Sequence, residues 1–180
     1  MMMLDWIRSL SRQTGTARQS ITWVSVSVLE HTAQVLRQSG NGATKHEGIV
    51  YWAGRHLGSE TVVTTCIAPA ARSTWGSFST SSGTNARVVM YLAEHGLELL
   101  GQVHSHPGAV VDHSDGDDER ALMPYEGFVS IVVPRYGRNG LRPLTNCGVH
   151  VYENSRFRRL PESAVMSRFH VVDEFADLRP

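Results

Sequence analysis

The stretch His104-Ser105-His106-Pro107, followed after six intervening residues by Ser114 and then by Asp117, constrains the fold more than any other part of the chain. Two histidines two positions apart lie on one face of an extended strand, because side chains alternate across it. Leu97, Leu99 and Val103 alternate with the histidines, which predicts a strand here. Pro107 cannot donate to a ladder and ends that strand. Ser114 then reads as an N-cap, with Asp117 in the first turn of a helix. Whatever the fold, it must bring a strand end and a helix start together. Two imidazoles and a carboxylate supply three N/O ligands. Three protein ligands with a position left for water is the pattern of a catalytic zinc site.

These residues resemble the signature of the JAMM metalloproteases, also called JAB or MPN-plus: an upstream Glu, then His-x-His, ten residues and Asp. Ten residues separate His106 from Asp117, and the His-Pro and Ser-x-x-Asp both match. Glu47, in Lys45-His46-Glu47-Gly48-Ile49-Val50, resembles the family's glutamate at the start of a hydrophobic strand, although here it directly precedes Gly48. In layout the resemblance covers roughly residues 20 to 155. It implies an α/β fold with a curved mixed sheet flanked by helices, in a cytidine-deaminase-like layout. It also implies one Zn2+ per chain on His104, His106 and Asp117, Glu47 as general base, and Ser114 as donor to the oxyanion.

The implied reaction is hydrolysis of the peptide or isopeptide bond after the C-terminal tail of a ubiquitin-like protein. Short chains of this kind resemble bacterial enzymes found beside ubiquitin-like modifiers and E1- and E2-like enzymes, antiphage systems included. Processing of ThiS- or MoaD-type sulfur carriers is an alternative the resemblance leaves open. In the family, an insertion at the place of residues 69–83 helps hold the substrate tail, which marks Trp75 and Phe78 as substrate-binding candidates.

Composition narrows the rest. Lys+Arg and Asp+Glu are equal at 17 each, so nothing favours nucleic acid or an anionic membrane as partner. Two cysteines, Cys66 and Cys147, make no disulfide framework and suit a reducing cytoplasm. No apolar run approaches membrane-spanning length, and the N-terminus has no long apolar signal region. A length of 180 residues with 41% hydrophobic content predicts a single domain over 20–180 with its own core, preceded by an arm over 1–19.

Along the chain, Ile21 to Val26 alternates as a strand, and Ser27 with Glu30 reads as a capping box. Leu29, Ala33 and Leu36 form the stripe of a helix that Gly40 stops. Glu47 to Ala53 reads as a strand ended by Gly54, paired with Thr61 to Ala68. Pro69 to Gly83 reads as a loop. Asn85 to His95 reads as a helix with Val88, Val89 and Leu92 inward and Gly96 as its stop. A helix is expected over Asp115 to Tyr125, a buried strand over Phe128 to Val133, another over Cys147 to Tyr152, and a closing helix within 161–180.

Nine histidines make any single one uninformative. His113 stands apart because it lies inside the motif loop. His-x-His before Ser114-Asp115-Gly116 also echoes a PHP phosphoesterase opening, but the chain then offers only His150 and His170, in unrelated settings. A non-catalytic MPN scaffold is disfavoured because every ligand position is filled.

Overall fold

In the computed structural model the described residues are 21–41, 45–119 and 121–173. The arm expected over 1–19 lies outside them. The described elements run β1 (Ile21–Ser25), α1 (Val26–Gly40), β2 (Ile49–Leu57), β3 (Glu60–Ile67), β4 (Ala71–Thr74), β5 (Ser77–Thr80), α2 (Ser82–His95), β6 (Glu98–Ser105), α3 (Asp115–Glu119), β7 (Val129–Val133), β8 (Gly148–Glu153), β9 (Arg156–Arg159), α4 (Glu162–Arg168) and β10 (Phe169–Val172).

Consecutive apolar positions in β2 mean burial on both faces. Val50 and Trp52 enter a core that also holds Val28, Leu29, Ala33 and Leu36 of α1. Ile49, Tyr51 and Ala53 enter a second core with Phe78, Val88 and Leu92. Helix α1 therefore covers one face of the sheet, and α2 with the β4–β5 hairpin covers the other. The strand order is β10-β1-β3-β2-β6-β7-β8-β9. Strand β2 is antiparallel to β3 and β6, β6 is parallel to β7, and β1 is parallel to both its neighbours. This curled mixed sheet with flanking helices is the expected fold class.

Several local expectations are corrected. Helix α1 starts earlier than the capping-box reading, because Ser25 and not Ser27 caps it, accepting from the Val28 N–H at 3.2 Å. Gly40 is inside α1, with Asn41 as a right-handed C-cap. Its role is contact, since a Cβ there would lie 2.4 Å from Tyr136 Cβ. Gly54 does not end β2. The strand runs on to Leu57 through a register shift between Ala53 and Gly54. A Cβ at Gly54 would meet the Val62 carbonyl oxygen at 1.9 Å. Gly54→Ala should therefore cost about 3 kcal/mol, because backbone cannot yield as a side-chain tip does. The urea midpoint checks this, and a loss under about 1 kcal/mol would contradict it.

The stretch read as a loop over Pro69 to Gly83 contains the hairpin β4–β5, with register Thr74↔Ser77 and a Thr74–Ser77 hydroxyl contact of 2.7 Å. Val89 is 42% exposed, so the buried stripe of α2 is narrower than expected. Gly96 does cap α2 in the left-handed conformation, with φ of 61°. Helix α3 is five residues long, and 121–125 are not helical. The closing helix α4 gives way at Phe169 to the unforeseen strand β10.

Candidate metal centre

The pairing of β2 with β6 builds the site. Ile49 is opposite His104. Counting on from that pair puts Glu47 level with His106. Two bonds hold this end together: the Gly48 N–H donates to Ser105 Oγ and the Ser105 N–H to the Gly48 carbonyl, both at 3.0 Å. The Glu47 N–H donates to the Thr74 carbonyl at 3.1 Å, which fastens the β4–β5 hairpin to the same corner. Glu47 is 3% exposed. A carboxylate is not buried at a strand end without an electrostatic reason.

His104 is wholly buried, its ring 5.3 Å from that of Phe78. His104 Nε2 lies 3.3 Å from His106 Nε2 and 3.3 Å from Asp117 Oδ1, and His106 Nε2 lies 3.5 Å from Asp117 Oδ2. Tetrahedral bonds of about 2.0–2.1 Å place ligand atoms about 3.3–3.4 Å apart, so the donor set fits one divalent ion of zinc's size. The His106 Nδ1–H donates to the Val110 carbonyl at 3.0 Å, which turns the Nε2 lone pair toward the other two ligands. His104 Nδ1 has no hydrogen-bond partner among the described residues, so packing holds that ring.

The charges favour the ligand form at His104 and Asp117 and the protonated form at His106. Burial pushes the His104 pKa down, against the pull of Asp117, and favours the neutral ring a metal requires. Burial also works against a charged His106, but Asp117, the Glu47 charge and the Val110 carbonyl together raise its pKa. Burial alone would raise the Asp117 pKa, yet its contacts with His104 and His106 hold it well below the usual carboxylate range. The Ser114 N–H and Oγ–H both donate to Asp117 Oδ2, at 2.7 and 2.8 Å. This is the N-cap expectation inverted: the carboxylate three residues on accepts the N–H, and the hydroxyl aims the same carboxylate.

Of the two substrate-binding candidates, only Trp75 is open, 71% exposed at the hairpin tip beside the carbonyl that accepts the Glu47 N–H. Phe78 is 2% exposed against the His104 ring, so it packs behind a ligand and does not face a substrate. The sequence reading missed Gln102 and Ser130. Their signal was a polar side chain at an inward position of an otherwise apolar strand.

A family model, prokaryotic homologs of the JAB domain, matches residues 29–145. The chain belongs to the JAB family. The match covers β2, β6 and all three candidate ligands of this JAB chain. It is also 34% identical over 142 residues to a probable metalloprotease of Sinorhizobium fredii, spanning 73% of this chain and 82% of that relative. Among solved structures, a protein of Desulfitobacterium hafniense shares the fold at a TM-score of 0.64 and 15% identity, covering 86% of this chain and 94% of the other. A protein of Salinibacter ruber does so at 0.52 and 16%, covering 77% and 88%. No helix among the described residues is long and apolar enough to cross a membrane.

Proposed function

We propose that this JAB chain is a zinc-dependent peptidase that hydrolyses the peptide or isopeptide bond after the extended, glycine-ended tail of a ubiquitin-like protein. The observation that carries the reading is Glu47, buried and level with His106 beside a three-ligand centre. His104, His106 and Asp117 would hold the zinc, which when bound polarises the scissile carbonyl and brings the pKa of water toward ~7. Glu47 accepts the attacking water's proton and passes it to the leaving amine. Ser114 is the donor to the oxyanion. Turning its hydroxyl away from Asp117 leaves that carboxylate held by the Ser114 N–H, so the hydroxyl serves without loosening the ligand.

A ubiquitin-like substrate accords with the family resemblance and with the β4–β5 hairpin fastened beside Glu47. The setting we propose is a bacterial deconjugation pathway with E1- and E2-like enzymes, such as an antiphage system. The test is the metal content of the purified protein, together with cleavage of a ubiquitin-like fusion with and without a chelator. About one zinc per chain and chelator-sensitive cleavage support the reading. Absence of zinc from well-folded protein overturns it.

Trp75 is exposed and adjoins Thr74, whose carbonyl accepts the Glu47 N–H, which suits it to cover an extended tail. Trp75→Ala should raise KM about 10-fold or more with little change in kcat, since it removes contact area and no proton-transfer group. Unchanged KM would return Trp75 to the ordinary surface.

A further inference from the structure

The three candidate ligands come from two elements with little to hold them in register. His104 and His106 lie at the end of β6, whereas Asp117 is on α3, a five-residue helix beyond a loop in which Gly108, Ala109 and Val110 are exposed. A single helical turn does not persist by itself. Something else must set the distance between Asp117 and the histidines.

A hydrogen-bonded chain spans that gap. On β6, two residues before His104, the Gln102 Nε2 donates to Ser130 Oγ on β7 at 3.2 Å, and these two residues are register partners. Ser130 Oγ lies 2.9 Å from His113 Nε2, and His113 Nδ1 lies 2.6 Å from Asp118 Oδ1. Because the Gln102 amide donates to Ser130, the serine hydroxyl has its own proton for His113 Nε2. The imidazole proton is then on Nδ1, directed at Asp118. All three contacts are satisfied in one direction, and the last group is covalently next to Asp117. The His113 ring is clamped as well, stacked 3.9 Å from His150 and with Phe157 edge-on at 4.9 Å. The order Asp118, His113, Ser130 is also that of a hydrolytic triad, but Ser130 is fully buried, so no substrate reaches its hydroxyl.

We infer that His113 is a positioning residue for the metal centre: with Asp118, Ser130 and Gln102 it locks α3 to the sheet and so holds Asp117 at binding distance from His104 and His106. The inference rests on the reading of the site as a zinc centre. Hydrogen-bonded partners beyond the ligands typically tune metal affinity 10- to 100-fold.

The test is zinc affinity by chelator competition on the full chain, with the visible absorption of the Co2+-loaded protein as a reporter of geometry. His113→Phe keeps the ring stack and loses both hydrogen bonds. It should weaken zinc about 10- to 100-fold and alter the Co2+ spectrum, while the metal-free Tm stays close to wild type. Asp118→Ala should match it, and Asp118→Asn, which keeps an acceptor for His113 Nδ1–H, should restore most of the affinity. If His113→Phe does not fold, the Asp118 pair decides alone, since that carboxylate is at the exposed end of the chain. Wild-type affinity in Asp118→Ala, or equal losses in Asp118→Ala and Asp118→Asn, would overturn the positioning role and leave the zinc reading standing. Failure of the wild type to bind zinc would overturn both.

Discussion

His104→Ala should empty the metal site and reduce cleavage by at least about 10^3-fold. The ring is fully buried, and its Nε2 is 3.3 Å from each of the other two ligands. Two ligands remain, one of them a carboxylate whose pKa is held down largely by the histidine being removed. A metal that polarises a carbonyl contributes several kcal/mol in the transition state, and about 4 kcal/mol corresponds to a factor of 10^3. Metal analysis and cleavage rate on the same sample check the result. Retention of zinc with a modest loss of rate would mean that another donor set holds the ion. Loss of zinc with cleavage intact would separate the reaction from the metal altogether.

Glu47→Gln should show the opposite pairing, with zinc retained and cleavage lost. The substitution is nearly isosteric, and the Glu47 N–H bond to the Thr74 carbonyl does not involve the side chain. The local backbone therefore has no cause to move. An amide cannot take up a proton at neutral pH, so the transfer from water to leaving group fails. General acid–base transfer is worth about 10^2- to 10^4-fold, and the expected loss lies in that range. It should appear in kcat with KM little changed. Near-normal kcat would assign the proton to another group.

The two variants test parts of the site that differed in legibility. His104, His106 and Asp117 were readable because they lie within one short stretch whose spacing ties a strand end to a helix start. Glu47 was readable only as an oddity, a carboxylate opening an apolar strand. That it lies level with His106 depends on the β2–β6 register, a long-range pairing without a local mark. Phe78 was misread for a related reason. In a run of Ser, Thr and Gly it looked like an aromatic on a loop, but the four-residue strand β5 of a hairpin turns it under His104. The length of α3 was overestimated because an acidic start and later apolar residues imitate a longer helix. In the structure Leu122 is buried and Met123 takes a φ of 52°, which breaks the helical path. Gly40 and Gly54 were read as stops. At both positions glycine is required by what comes close from elsewhere, Tyr136 in one case and the Val62 carbonyl in the other.

Strand β10 adds a consequence of its own. It is parallel to β1, with Thr22 opposite Phe169, so almost the whole described chain lies between the two partners. Such a contact forms only after everything between has been made and brought close, and the loop-closure entropy is met before the pairing returns anything. β10 is also an outermost strand, with Val171 and Val172 about 40% exposed. It is therefore an element expected to close late and open early. Strands β2 and β6, which carry the metal corner, lie three and four places inward in the sheet. Fraying at that edge would free β10 while the candidate metal corner stays assembled.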